Sequence, residues 1–218
     1  MASPDCKPVV WKAGPAALRP EDLSQAASLL VRGGLVVYPT ETFYALGAVP
    51  ALASAVEKVF AAKGREAGKP LPLIASSLAD VFGAVSGWTD GAKALAEAFW
   101  PGPLTLVLPA APSLPSILHA GTGKIAVRVS PHPAAALLAK LSGGLLVSTS
   151  ANRSGAAPPR ELREISPELL CAVDGLVDAG SLPGGLPSTI VDVSSLPPRL
   201  VRKGKIGWDA IENILAVS

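Results

Sequence analysis

Apolar residues recur at helical spacing across residues 21–32, where Leu23, Ala26, Ala27, Leu29 and Leu30 share one stripe and Gly33-Gly34 ends it. The same period predicts helices over residues 51–63, 90–99, 133–141 and 206–215, with a weaker one over 167–173. Gly64 stops the helix over 51–63, Pro101-Gly102-Pro103 follows the one over 90–99, and Gly143-Gly144 closes the one over 133–141. Between them lie apolar runs too short for helices and suited to buried strands: residues 35–38, 71–75, 104–108, 125–129, 145–147, 189–193 and 200–201, with another opening at Val177.

Strands and helices interleave along the whole chain, which predicts an α/β fold. There is no internal repeat, and the Gly/Pro stretch over residues 183–187 is too short to separate domains. The expected organisation is a single domain over residues 19–218 behind an N-terminal extension, residues 1–18.

Composition narrows the class further. Of 218 residues, 49% are apolar and 17% charged, enough apolar material for a large core and too little charge for a disordered chain. Aromatics make up 5%, so Leu, Val, Ala and Ile must fill most of the interior. A net charge of +2 does not by itself identify a nucleic-acid binder. The cations are clustered, however: Lys58, Lys63, Arg65 and Lys69 in one stretch, Arg199, Arg202, Lys203 and Lys205 in another. Each cluster is either a solvated face or an anion site. Cys6 and Cys171 are far apart and in no metal spacing, which predicts neither a disulfide framework nor a zinc site, but reduced thiols in the cytoplasm with Cys171 as a small core residue. The first twelve residues lack the basic flank and apolar run of a signal peptide. No uncharged apolar run reaches the ~20 residues that span a bilayer.

Several familiar sites are missing. Gly121-Thr122-Gly123-Lys124 resembles the tail of a phosphate loop, but Leu118 stands where the first glycine is required and Ile125 follows the lysine. No G-x-G-x-x-G follows a strand and no G-x-S-x-G elbow is present. The two histidines, His119 and His132, sit in no metal spacing and read as loop or surface residues. With no obvious base, nucleophile or metal cage, the inventory suits chemistry driven by positioning and charge neutralisation, as in phosphoryl and nucleotidyl transfer.

Five constellations carry candidate chemistry. PTETFYALG, residues 39–47, packs two hydroxyls, a carboxylate and a phenol into a strand-end turn, where α/β sheets bind ligands; a polar turn with a helix cap is the plainer account. Lys63-Gly64-Arg65, followed by Lys69-Pro70-Leu71, places cations at a helix end, either to complement the helix dipole or to form a fork for phosphates. STSANRSG, residues 148–155, follows a strand with small hydroxyls and an amide able to hold a nucleotide, or to build an ordinary turn. Ser188-Thr189 leads into a strand and Arg202-Lys203-Gly204 ends the next, a hydroxyl and cation pair or a hairpin with a basic edge. Arg128, inside the apolar run over 125–129, is costly to bury unless it bridges a core carboxylate or faces a ligand carboxylate.

Together these segments resemble the YrdC-like family of threonylcarbamoyl-AMP synthases. The strings PTETFYALG, KGR, KPL, WPGPLTLVL, IAVRVSPHP, STSANRSG, PSTIVD and LVRKG stand in the family's order across residues 36–207. The resemblance implies a twisted, open mixed sheet flanked by helices, with a large concave cavity. It implies synthesis of L-threonylcarbamoyl-AMP and pyrophosphate from L-threonine, bicarbonate and ATP. Mg²⁺ is implied with the ATP, without a tightly bound protein metal site. The product would go to downstream transferase proteins that load it onto the adenosine next to the anticodon of tRNAs reading ANN codons. By motif position, Thr40 and Ser188 match threonine contacts, Arg128 the partner of its carboxylate, and Ser148 a contact for either ligand. Lys63, Arg65, Ser150, Asn152 and Arg202 match nucleotide and phosphate contacts, and Lys63 and Arg65 would offset the charge that builds during reaction.

Three positions depart from the family pattern: Ala45 for glycine, Glu66 after KGR for proline, and Pro72 where two-domain relatives carry a histidine. The chain ends shortly after the core and resembles the short bacterial form. Two other readings stay open. One is a non-catalytic paralogue that binds double-stranded RNA or a nucleotide in the basic cavity. The other is a carbamoyl-transfer accessory domain, as found inside hydrogenase-maturation carbamoyltransferases, a reading that requires acylphosphatase and zinc-finger segments absent from these residues.

Overall fold

The apolar stripe over residues 21–32 becomes helix α1 (Pro20–Val31), which turns Leu23, Ala26, Ala27 and Leu30 inward and ends where Gly33 takes a left-handed backbone at φ 81°. Residues 7–12, 20–64 and 68–217 are described by the computed structural model. Among them the order is β1 (Val9–Lys12), α1, β2 (Val36–Pro39), β3 (Tyr44–Gly47), α2 (Ala53–Lys63), β4 (Leu73–Ala75), α3 (Leu78–Ala84), α4 (Asp90–Phe99), β5 (Leu104–Pro109), β6 (Lys124–Val129), α5 (Pro133–Leu141), β7 (Leu145–Val147), β8 (Thr149–Ser150), α6 (Pro167–Ala172), β9 (Gly175–Asp178), β10 (Thr189–Asp192), β11 (Arg199–Arg202) and α7 (Trp208–Leu215).

The strands form two mixed open sheets flanked by helices, in the orders β1-β9-β2-β3-β8 and β11-β10-β5-β6-β4-β7. This is the open mixed α/β architecture expected, with the chain changing sheets at Ser148. β7 pairs antiparallel with β4, whereas β8 pairs with β3, and the Ser148 N–H donates to Pro72 O at 2.8 Å in between. The polar run after residue 147 is thereby wedged between the two sheets.

A core of residues from both sheets packs against α2, α3, α4, α6 and α7, and includes Val56, Val59, Leu106, Val127, Val147 and Ile211. A second cluster lies under α1 and α5, where Leu23, Leu30, Ala135 and Leu138 cover Val36, Tyr38, Ile74 and Leu146. Each fully buried Leu or Val in these clusters contributes about 1.5–3 kcal/mol relative to exposure. Side-chain caps start α3 and α4: Ser77 Oγ accepts from Asp80 N at 3.3 Å, and Thr89 Oγ1 from Ala92 N at 3.1 Å.

Several expectations are revised. Val9–Lys12, inside the stretch expected as an extension, pairs in parallel with β9. Residues 44–47, read as part of a turn, form β3, buried throughout. α3, at seven residues, is too short for its apolar residues to register as periodic. β4 starts at Leu73 rather than Leu71, because Pro70 and Pro72 have no N–H for a ladder. Cys171, expected in the core, is exposed on α6. No helix among the described residues is long and apolar enough to cross a membrane.

Two carboxylates brace the sheet edges. Burial pushes the Asp178 carboxyl up, but the Lys12 ammonium at 2.6 Å and the Gly180 N–H outweigh it and hold the group below the usual range. Burial likewise opposes ionisation of Asp192, and is outweighed by the Ser194 hydroxyl and N–H and by Lys124. Both groups therefore bind protons more readily in the unfolded chain. The stability they contribute is complete above the unfolded carboxyl value of about 3.9 and is lost as pH falls through their lower folded values. The urea midpoint should accordingly drop steeply below about pH 4. A double variant, Asp178→Asn with Asp192→Asn, should be less stable at neutral pH and lose most of that acid slope; an acid slope equal to wild type would exclude these two groups as its source.

Candidate active site

Alternation along β6 sends Ile125, Val127 and Val129 into the core and Ala126 and Arg128 to the opposite face. β5 obeys the same rule: Leu104, Leu106 and Leu108 face the core. Leu106 lies opposite Val127 and Val107 opposite Ala126, which brings Thr105 level with Arg128. Ile190 stands beside Thr105, and Arg202 beside Ile190. One row across the sheet therefore reads Arg202, Ile190, Thr105, Arg128, and it forms a wall of a cavity of about 720 Å³. The rest of the lining includes Thr40 to Ala45 from the β2–β3 hairpin, Ser148, Thr149 and Ser150 from the sheet switch, and Pro187 and Ser188 ahead of β10.

Arg128 is 9% exposed, and its counter-charge comes from the other sheet. Its Nη1 lies 2.6 Å from Glu41 Oε1, an ion pair set off the line of a hydrogen bond. Glu41 Oε2 accepts from Ser130 Oγ at 3.0 Å, and Ser130 Oγ in turn accepts from His132 N at 3.3 Å. Arg128 thus bridges a protein carboxylate and also lines the cavity. Burial pushes the His132 imidazole below its ordinary value, with Glu41 opposing. Thr40 Oγ1 accepts from the N–H groups of Thr42 (3.4 Å) and Phe43 (3.3 Å) and donates to Phe43 O (2.7 Å), which locks the turn that carries Glu41.

On the other side of the row, Arg202 donates from Nη2 to Ser188 Oγ (3.0 Å) and Ser188 O (2.8 Å), and from Nε to Ser188 O (3.2 Å). Ser188 Oγ also lies 2.8 Å from Thr105 Oγ1. Burial, and the nearby Arg128 charge, lower the Arg202 pKa, yet an arginine stays charged throughout. Gly204 permits this contact: a Cβ there would overlap Pro187 O, the Ser188 carbonyl carbon and Thr189 N.

Lys63, read as half of a phosphate fork, is only 3% exposed. Its ammonium donates to Ser150 O at 2.5 Å and Asn152 O at 2.6 Å, so it ties the end of α2 to the loop after β8. Gly64 caps that helix at φ 55°, and the Arg153 guanidinium lies over the side where a Cβ would stand. Lys58 likewise donates to Gly33 O at 2.8 Å, so this cationic cluster is not simply a solvated face. Asn152 Nδ2 donates to Arg153 O and Ala156 O, and its Oδ1 is buried with no hydrogen-bond partner among the described residues.

Of the residues singled out from sequence, Thr40, Arg128, Ser148, Ser150, Ser188 and Arg202 line the one cavity. Lys63 and Asn152 sit behind Ser150 rather than on the wall, and Arg65 lies outside the described residues, as does Glu66. Ala45 is in mid-strand, opposite Tyr38 and Ser150 and away from left-handed backbone, so its methyl disturbs no turn. Pro72 lines the cavity and offers no side-chain hydrogen bond. Thr105 was given no role from sequence, although the alternation of Leu104, Thr105 and Leu106 was a usable signal for it, and Glu41 was noted only as the carboxylate of the PTETFYALG turn. Tyr44 is part of the cavity lining, with its hydroxyl donating to Gly180 O at 2.8 Å; burial is the main cause of a phenol pushed up to about 12.

Among the described residues no group of His, Cys, Asp and Glu side chains converges as a metal cage. The cavity's carboxylate, Glu41, is already paired with Arg128. The donors do not fit a resident divalent ion, and no chemistry is assigned to one.

Replacing Lys63 with Met removes two charge-assisted hydrogen bonds and leaves two carbonyls to find other partners. The expected loss is about 2–4 kcal/mol of stability, read from urea unfolding. A loss below about 1 kcal/mol would mean that the ammonium does not hold the loop.

Residues 28–204 match the family model Sua5_yciO_yrdC, described as Telomere recombination. The chain is 35% identical over 190 residues to the threonylcarbamoyl-AMP synthase of Pyrococcus abyssi, covering 87% of this chain and 56% of that protein. It is 41% identical over 180 residues to the threonylcarbamoyl-AMP synthase of Alkalilimnicola ehrlichii, covering 79% of this chain and 92% of that one. The crystal structure of P. abyssi Sua5 complexed with L-threonine superposes with a TM-score of 0.88 at 32% identity, covering 95% of this chain and 60% of that chain. The chain thus spans little more than half the length of its Pyrococcus abyssi and Bacillus subtilis relatives.

Proposed function

Because the chain belongs to the Sua5/YciO/YrdC family, we propose that it is an L-threonylcarbamoyladenylate synthase that consumes L-threonine, bicarbonate and ATP and releases pyrophosphate. The observation that carries this reading is the convergence of Arg128, Arg202 and the hydroxyls of Thr40, Ser148, Ser150 and Ser188 on a single cavity of about 720 Å³. That volume lies within the roughly 300–1,000 Å³ of ordinary ligand pockets.

In the proposed reaction the threonine amine bonds to the carbon of bicarbonate, with loss of water, to give a carbamate. A carbamate oxygen then attacks the α-phosphorus of ATP, the bond to the bridging oxygen breaks, and pyrophosphate leaves. Arg128 takes the threonine carboxylate, with Thr40 and Ser188 beside it. Arg202, Ser150 and Arg65 hold the nucleotide, and Asn152, behind Ser150, offers it a buried Oδ1 that has no hydrogen-bond partner among the described residues. Lys63 acts from behind the wall: its charge lies against the Ser150 and Asn152 carbonyls and offsets negative charge gathering on the phosphates. Mg²⁺ enters as part of the ATP substrate, carried on its phosphates. The protein works in the cytoplasm and passes its product to transferase proteins that modify the adenosine next to the anticodon of tRNAs reading ANN codons.

Purified protein should release pyrophosphate from ATP only when threonine and bicarbonate are both present. Folded protein that releases none would overturn the reading. Arg202→Ala should slow release by roughly 10²–10³ while leaving the fold intact, as judged by circular dichroism.

A further inference from the structure

Glu41 is the acidic side chain of the cavity lining; every other charged residue there, among the described residues, is an arginine. Its side chain is 18% exposed and lines the cavity. Among the described residues each oxygen has one protein partner, Arg128 on Oε1 and Ser130 on Oε2, and each carboxylate oxygen has two lone-pair directions. The turn that presents it is locked through Thr40 Oγ1.

A cationic group entering this cavity meets Arg128 and Arg202, and like charges in a half-buried site repel strongly. A carboxylate on the same wall removes that obstacle at one place. The Glu41–Arg128 pair therefore presents an anion and a cation side by side, which is the mirror of an amino acid's α-ammonium and α-carboxylate.

We propose that Glu41 and Arg128 read the zwitterion together, with Glu41 accepting hydrogen bonds from the α-ammonium while Arg128 takes the α-carboxylate. This rests on the reading of the cavity as an amino-acid site and makes Glu41 the residue that separates amino acids from hydroxy acids. Arg128 alone cannot do so, because both ligands carry the same carboxylate.

The test is isothermal titration of the intact chain with L-threonine and with its α-hydroxy analogue, in which a hydroxyl replaces the ammonium. Wild type should prefer threonine by roughly tenfold to a hundredfold, the size of a charge-assisted hydrogen bond. Glu41→Gln should bring the two ligands within about threefold of each other. Glu41→Asp keeps a counter-charge for Arg128 but withdraws it by one methylene, so a folded protein is available should the glutamine variant not fold; its preference should fall between the two. An unchanged preference in either folded variant overturns the proposal. Wild type that binds both ligands equally overturns this inference alone, whereas wild type that binds neither removes the amino-acid reading on which it stands.

Discussion

A guanidinium placed in the middle of a β-strand must find a negative charge, because an uncompensated ion away from water costs several kcal/mol. In this protein that requirement joins the two sheets. Arg128 belongs to β6 of one sheet, and its counter-charge, Glu41, belongs to the hairpin of the other. The ion pair holds the hairpin against the sheet and sets one wall of the cavity. It also leaves the cavity with a fixed pattern of charge that needs no rearrangement when a ligand enters.

Lys63 extends the same logic to a second boundary. Its ammonium is buried against the carbonyls of Ser150 and Asn152, so the helix that ends at Lys63 and the loop after β8 are held as one unit. A cation seated behind the wall still projects its field into the cavity, where the dielectric is low. The two buried cations and the partly exposed Arg202 thus surround the cavity with positive potential, and Glu41 is the local exception.

The strand alternation in the six-stranded sheet decides which residues belong to the core and which to the cavity. Leu104, Leu106, Ile125, Val127 and Val129 face one way, and Thr105, Ala126 and Arg128 the other. A slip of one residue in either strand would exchange the two sets, burying Arg128 in the aliphatic core and turning leucines into the cavity. The cost of that exchange is what makes the register secure, and the site inherits its accuracy from the core.

Local pattern in the chain was enough for most elements: the stripes over 21–32, 90–99 and 133–141 became α1, α4 and α5 with little change, since helical period and glycine stops act over a few residues. The motifs around Thr40, Arg128, Ser148 and Ser188 were also visible as polar groups at strand ends. Their meeting was not, because Glu41 and Arg128 are 87 positions apart and Lys63 and Ser150 likewise. Neither β1 nor β3 was read as a strand, because β1 is fixed by pairing with the distant β9 and β3 follows a polar turn that itself read as the end of a strand. The sequence by itself determined the α/β class, the apolar periodicities and which residue types were available for chemistry. Only the tertiary structure decided that Lys63 points into a loop rather than a ligand space, that Thr105 and Glu41 belong to the wall, and that the sheet is split at Ser148. Pairing between distant strands and the neutralisation of buried charge are properties of the packed chain, and no local window of residues contains them.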